Sequence, residues 1–219
     1  MKSLSLAAFL VVGIGSFQSA SAATLFRAEL SGDQVVSSPT PDTQATGTAT
    51  FSLSDDQSQL TYTIDLNGIT LKPSISERTE PADVNKIHLH VGAPGNNGPH
   101  TLNIFGLPGE DDDDLQVDYQ NGILTGIWDD SDASDLNGNG VADPNDSKPL
   151  SAFVSELLDG QLYVQVHTNR FDSPNGFPGE LRGQIVRQSE PVQTPEPGAL
   201  LGLLAMGLAA ARGISTRQA

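Results

Sequence analysis

The chain has 219 residues, no cysteine and a formal net charge of −16 at pH 7, with a pI near 4.3. This acidic balance repels phosphate backbones, so it argues against nucleic-acid binding. The lack of cysteine excludes disulfides as a source of stability, which must come from buried apolar side chains and bound ions. Once terminal processing segments are set aside, the length suits one domain.

The first 22 residues have the order of regions that is typical of a secretory signal peptide. Lys2 is followed by the apolar stretch LSLAAFLVVGIG and then by the small-residue run SFQSASAA. We expect cleavage after Ala22, so that the exported chain begins at residue 23.

The region 23–188 has an all-β pattern. Short runs alternate apolar and polar residues with a period of two, and clusters of turn-forming residues separate them. This pattern predicts an antiparallel Greek-key β-sandwich with one acidic loop insertion. The segment LSAFVSELLDG predicts one short helix that ends at Gly160. The predicted strands are TLFRAEL, GTATFSL, QLTYTIDL, NKIHLHV, TLNIF, QLYVQVHT and GELRGQIV.

The run KIHLHV separates apolar from basic side chains. Successive side chains of a strand point to opposite faces, so Ile87, Leu89 and Val91 share one face while His88 and His90 share the other. We expect the apolar face to be the buried one.

The last two runs turn polar side chains to the same outer face if their strands lie beside KIHLHV. Three histidines then share that face, because His167 joins His88 and His90. We expect this face to be exposed and to form a polar site. The residues of the last two runs that are predicted to be exposed are Tyr163, Gln165, His167, Glu180, Arg182 and Gln184.

Two interpretations of the histidine face stay open. In the first, the histidines hydrogen-bond to backbone groups, Glu180 and Thr168, and fix the register of the strands. In the second, His88, His90 and His167 are three imidazole ligands of a copper or zinc ion. An HxH strand in a Greek-key sandwich is remotely similar to copper-zinc superoxide dismutases, although this chain has no cysteine pair and no evident bridging histidine.

The stretch DLNGNGVADPND, residues 135–146, has the spacing of a calcium-binding loop. Side-chain oxygens precede a glycine, which permits the sharp turn, and a backbone carbonyl follows. Aspartate at the last position is similar to the loops of thrombospondin type 3 and dockerin repeats. The alternative is a solvated turn without an ion. The predicted calcium ligands are Asp135, Asn137, Asn139, Val141, Asp143 and Asp146.

Other acidic residues flank this loop or precede it. Asp129, Asp130 and Asp132 add negative charge that a cation would neutralise. The run Glu110–Asp114 lacks ligand spacing, so we expect a solvated loop there. The chain has no GxSxG, P-loop or HExxH motif, and we expect no enzymatic activity.

A linker, 189–194, leads to a tail, 195–219, in which a Pro-Glu-Pro triplet precedes a short apolar stretch, 198–211. This order resembles the PEP-CTERM sorting signal of Gram-negative bacteria. The resemblance implies a short transmembrane segment in the inner membrane, cleavage by an exosortase-type protease, and transfer to the cell surface or exopolysaccharide matrix. An ordinary C-terminal anchor is the alternative. The residues that carry the resemblance are Pro195, Glu196, Pro197 and Arg212.

The combination of IHLHVGAPGNNGP, LYVQVHT and PGELRGQI, after FRAELSGDQVV and ATGTATFSL, resembles the CHRD domain over residues 24–187. The resemblance implies an extracellular β-sandwich and no particular reaction. His100 departs from the family pattern, which usually has an apolar residue there, so we do not expect it to be a shared ligand.

We therefore expect an exported, calcium-stabilised structural or binding module of the cell surface or matrix, with a polysaccharide or protein partner. The alternative is a histidine-based transition-metal-binding protein or metalloenzyme. Metal content separates the two, because the first requires calcium and the second copper or zinc.

Overall fold

A computed structural model describes residues 23–134, 144–172 and 178–189. One α-helix, α1, spans Val154–Leu158, and short 3-10 turns span Gly32–Gln34, Ile75–Glu77, Asp130–Asp132 and Leu150–Ala152. The strands are β1 (Thr24–Ser31), β2 (Thr46–Leu53), β3 (Leu60–Asn67), β4 (Val84–Val91), β5 (His100–Phe105), β6 (Gln116–Asp118), β7 (Ile123–Trp128), β8 (Leu162–Thr168), β9 (Leu181–Gln184) and β10 (Val186–Arg187).

The strands form one antiparallel sheet in the order β5-β4-β8-β9-β1-β2-β3-β7-β6, and β10 also pairs with β1. The sheet curls into a half-barrel, which fits a β-sandwich, so the predicted all-β class is confirmed. The order places β4 between β5 and β8, and β9 returns from late in the chain to lie beside β1. Histidine-bearing strands distant in sequence thereby become neighbours.

The core follows from period-two alternation, most clearly on β3. There Leu60, Tyr62 and Ile64 are buried, while the side chains between them are exposed. On β1 the buried positions are Phe26, Ala28 and Leu30, which belong to the same apolar cluster. Each large apolar side chain removed from water contributes about 1.5–3 kcal/mol, so this alternating face holds the sheet together.

The predicted short helix is confirmed as α1, which ends before Gly160. Gly160 has a φ of +68°, a left-handed conformation that glycine adopts without strain. Its amide donates to the carbonyl of Leu157 and so satisfies one free group at the helix end. The local stop signal in the sequence was therefore sufficient to predict this end.

Two strands, β6 and β7, were not predicted. The run ILTGIW carries no predicted strand, although Leu124 and Trp128 are fully buried in it. Gly126 explains part of the omission, because a glycine inside a strand weakens its pattern. A Cβ at Gly126 would overlap the Tyr62 hydroxyl and an Asp112 carboxylate oxygen, so the glycine leaves room for that pair.

The prediction that the outer face of β8 and β9 is exposed is wrong. Tyr163, Gln165, His167, Glu180 and Arg182 are all buried, and Gln184 is half-buried. Loops cover the face and supply hydrogen-bond partners: the Arg182 guanidinium, for example, donates to the carbonyl of Ala93. The face is polar, as predicted, but it is an interior one.

Several predictions fall on residues outside the described ranges. These are the signal peptide 1–22, the calcium-loop positions 135–143 and the tail 195–219 with its short apolar stretch 198–211; of the linker 189–194, Ser189 alone is described. In the part of the chain that the structure describes, no helix is long and apolar enough to cross a membrane.

Candidate metal centre

Four histidine rings meet between β4, β5 and β8. His88 and His90 alternate along β4, His167 stands on β8, and His100 begins β5 opposite His90. The centroid of the His88 ring lies 5.7 Å from that of His90, 5.4 Å from that of His167 and 4.7 Å from that of His100. His88 is thus at the centre of the group, which we call the histidine cluster.

Three members of the histidine cluster have the spacing of metal ligands. His88, His90 and His167 each offer one ring nitrogen, and these three atoms lie within 4.8 Å of one another. One tetrahedral metal ion about 2.0–2.1 Å from each nitrogen sets these atoms about 3.4 Å apart, so binding draws the rings together wherever they exceed that separation. The three histidines singled out from the sequence are therefore brought together.

Hydrogen bonds at Nδ1 set the ring orientations of His90 and His167. The Nδ1 of His90 lies 3.1 Å from the carbonyl oxygen of Gly98, and the Nδ1 of His167 lies 3.1 Å from Oδ1 of Asp172. Both oxygens accept, so both Nδ1 atoms donate and both Nε2 atoms carry a lone pair. Neither Nε2 has a hydrogen-bond partner among the described residues, although both are buried.

Burial keeps these rings neutral. It lowers the pKa of His90 to about 4, against the opposing effect of the hydrogen bond to Gly98. It also lowers the pKa values of His88, His100 and His167, and for His88 the neighbouring rings add to the effect. The neutral imidazole is the form that binds a metal, so the cluster is ready for one at neutral pH.

Glu180 lies apart from the histidine cluster. Its carboxylate accepts hydrogen bonds from the hydroxyls of Thr43 and Thr168. The prediction that the histidines bond to Glu180 and Thr168 is therefore wrong, and of the first interpretation only the backbone bond of His90 to Gly98 is present in the described chain. Glu180 instead ties β8 to the loop before β2.

Arg182 supports the cluster from one side without contacting a metal position. Its guanidinium carbon lies 3.6 Å from the centroid of the Tyr163 ring. That ring stacks on His90 at 5.1 Å with an interplanar angle of 9°. Arg182, Tyr163 and His90 therefore form a stack that covers this side of the cluster.

His100 is not one of the predicted ligands and lies outside the group of three convergent nitrogens, but its ring is part of the histidine cluster. It is 8% exposed, and neither of its ring nitrogens has a hydrogen-bond partner within the described ranges. The predicted strand TLNIF began one residue too late to include it. A hairpin register across the glycine-rich turn would have placed it opposite His90, as observed.

A cavity of about 440 Å³ opens beside His88 and His100. Arg78 lies in its wall, with its guanidinium 4.2 Å from the Phe105 ring centroid and donating to backbone carbonyls. The Lys86 Nζ, also in the wall, lies 3.2 Å from Asp172 Oδ1. The cavity therefore connects the histidine cluster with both cationic and anionic side chains.

A separate carboxylate cluster lies near β3. Asp112, Asp113 and Asp132 each offer an oxygen, and these atoms lie within 4.8 Å of one another. The buried Tyr62 hydroxyl donates to Asp112, which explains why this carboxylate is 6% exposed. The prediction of a solvated loop over Glu110–Asp114 is thus wrong for Asp112.

Burial and mutual repulsion make the ionised forms of the carboxylate cluster unfavourable. Burial raises the pKa of Asp132 to about 7, and the charges of Asp112 and Asp113 add to the effect. Asp129 differs, because it accepts hydrogen bonds from the Ser131 hydroxyl and, at the start of a 3-10 turn, from the Ser131 amide, and both lower its pKa. Of the predicted calcium ligands Asp146 alone is described, and it is fully buried.

A search of curated proteins gives no match. The model of the CHRD domain family matches residues 26–185, which include most of β1, all of β2 to β9 and all four histidines of the cluster. The matched domain supports the expectation of an extracellular or binding module. The match spans most of the chain, in close agreement with the extent of the resemblance in the sequence, and the protein belongs to the CHRD domain family.

Proposed function

We propose that this CHRD protein is an exported binding module that holds one copper or zinc ion on His88, His90 and His167. The observation that carries the proposal is the pair of buried Nε2 atoms on His90 and His167, each without a partner among the described residues. Their Nδ1 atoms are held by a carbonyl and a carboxylate, which is how metal-binding histidines are commonly oriented.

The energetic case rests on these unpartnered atoms. A buried acceptor without a hydrogen bond costs about 1–3 kcal/mol, so two such atoms in one cluster need compensation. A metal ion supplies it through direct bonds to both. Three imidazoles and no thiolate suit copper or zinc, whereas calcium and magnesium prefer oxygen ligands.

Elemental mass spectrometry of the exported chain, purified without chelator, tests the proposal. We expect about one copper or zinc ion per chain in the wild type, and a large loss in His88→Ala and His167→Ala. Asp65→Ala is the matched control, since Asp65 is an exposed residue of β3. Circular dichroism establishes that each variant is folded. Folded wild-type protein without copper or zinc after incubation with either ion refutes the proposal.

We further propose that calcium orders the acidic insertion at residues 135–146. The spacing of the potential ligands supports this, as does the surrounding density of carboxylates. Calcium should raise the melting temperature of the wild type but not of Asp135→Ala. An equal rise in both proteins would reject this loop as the site.

The proposed location is the cell surface or the exopolysaccharide matrix, with a polysaccharide or protein partner. The Pro-Glu-Pro triplet supports this, because an exosortase-type protease would cut the tail near it. Replacing Pro195 and Pro197 by alanine should leave an uncut precursor in the membrane fraction. Normal processing of that variant would reject the sorting signal. The proposed role is binding, and no reaction is assigned.

A further inference from the structure

Among the described residues, the arrangement around the histidine cluster leaves one side open. We propose that the bound metal keeps an exchangeable coordination position facing the 440 Å³ cavity, and that His100 hydrogen-bonds the small anion that occupies it. This inference rests on the proposed metal site and adds a ligand to it.

Three protein ligands leave a tetrahedral metal with one free position, which is the arrangement of an open site rather than a closed structural one. His100 lies outside the group of three convergent nitrogens in the described chain. Its ring centroid is nevertheless 4.7 Å from that of His88 and 5.6 Å from that of His90. His100 is therefore close enough to contact a fourth ligand without being one.

No described group hydrogen-bonds to the His100 ring nitrogens, although the Asp146 backbone and the Asn103 side chain approach the ring closely enough to oppose the effect of burial on its pKa. Both of its ring nitrogens are buried, and neither makes a hydrogen bond within the described ranges. A neutral imidazole has one N–H and one lone pair, so one nitrogen can donate to a ligand on the metal. A small anion at the open position would satisfy that donor.

Access to the open position runs through the cavity. His88 and His100 line the cavity, whereas His90 and His167 are not among its lining residues. The opposite side is closed by the Tyr163 ring stacked on His90. An external ligand therefore reaches the metal past His88 and His100.

The charges in the cavity favour an anion once the metal is bound. Arg78 contributes one positive charge, and Lys86 is balanced by Asp172, which also accepts from His167. Glu110 and Asp111 also line the cavity, and Asp111, whose pKa burial raises to about 6, is mostly ionised at neutral pH. Two cations therefore face three carboxylates, and the lining without a metal carries one net negative charge. With a divalent metal added, the inner end of the cavity is positive.

Azide titration of the copper-loaded full chain tests the inference, with azide as the small anion and its charge-transfer absorption on Cu(II) as the readout. We expect a saturable band at about one azide per copper in the wild type. His100→Phe should keep the copper and bind azide about tenfold or more weakly, because a hydrogen bond to a charged ligand is lost. His100→Asn, which retains a donor, should recover part of the affinity.

Each outcome has one meaning. Absence of copper from the wild type refutes the proposed metal site itself. Copper without an azide band shows a closed site and overturns the inference alone. Loss of copper from folded His100→Phe or His100→Asn makes His100 a fourth ligand, which also overturns it. Equal azide affinity in all three proteins removes His100 from the role while the site stays open.

Discussion

Asp172 offers the sharpest test of how the protein prepares the histidine cluster. Its Oδ1 lies 3.1 Å from His167 Nδ1 and 3.2 Å from Lys86 Nζ, and its Oδ2 accepts from the Asn85 amide at 3.3 Å. One carboxylate therefore fixes the orientation of a metal ligand and neutralises the nearest ammonium group. Removing it should weaken metal binding although Asp172 is itself no ligand.

The expected magnitude follows from these contacts. Loss of a partner that orients a histidine ligand typically lowers metal affinity 10–100-fold, which corresponds to about 1.4–2.8 kcal/mol. Asp172→Ala removes both the acceptor for His167 and the charge beside Lys86, so it should fall within that range. Asp172→Asn keeps an acceptor but loses the charge, so its effect should be smaller.

Zinc affinity is measured by competition with a chromophoric chelator at pH 7.5, with the wild type, Asp172→Ala, Asp172→Asn and Asp65→Ala side by side. Asp65→Ala also removes one negative charge, but from an exposed position on β3, so it controls for net charge. The reasoning is refuted if Asp172→Ala stays folded and its zinc affinity lies within twofold of that of the control.

Three further predictions concern stability in the absence of metal. The pKa of His90 is about 4 in the fold, so as pH falls the histidine is protonated in the unfolded chain before it is protonated in the folded one. Urea unfolding in EDTA should therefore show the unfolding free energy falling by on the order of 3 kcal/mol from pH 6.5 to pH 4. His90→Gln should lack the part of this fall that His90 causes. The pKa of Asp132 is about 7, so the ionised carboxylate destabilises the fold as pH rises. Asp132→Asn should raise the unfolding free energy by about 1 kcal/mol at pH 8, a figure that allows for solvent screening, and by less at pH 5. Gly126→Ala should lower the unfolding free energy by about 1–3 kcal/mol, because the added Cβ would overlap the hydrogen-bonded pair of Tyr62 and Asp112. An unchanged urea midpoint would contradict that packing.

The sequence was informative wherever the determining contacts are local. The alternation in KIHLHV correctly separated Ile87 and Leu89 from His88 and His90. The seven alternating runs all proved to be strands, and Gly160 marked the end of the helix. Period two and a left-handed glycine are properties of a few consecutive residues, so no tertiary information was needed.

The predictions that were wrong concern side chains whose exposure depends on contacts with distant parts of the chain. Whether Gln165 and Arg182 are exposed depends on loops that fold over them from elsewhere in the chain. Whether Asp112 is solvated depends on Tyr62, which lies on β3 fifty positions earlier. Alternation assigns a side chain to a face, but it contains no information about what covers that face.

The sequence by itself determined the strands other than β6 and β7, the side of those strands that is apolar, and the three histidines that share a polar face. Only the tertiary structure decided that this face is buried, that His100 joins the cluster, and that a cavity opens beside it. The physical reason is that side-chain alternation is a local property of the extended backbone. Burial and convergence instead depend on strand order and register, which bring β5 and β8 to opposite sides of β4.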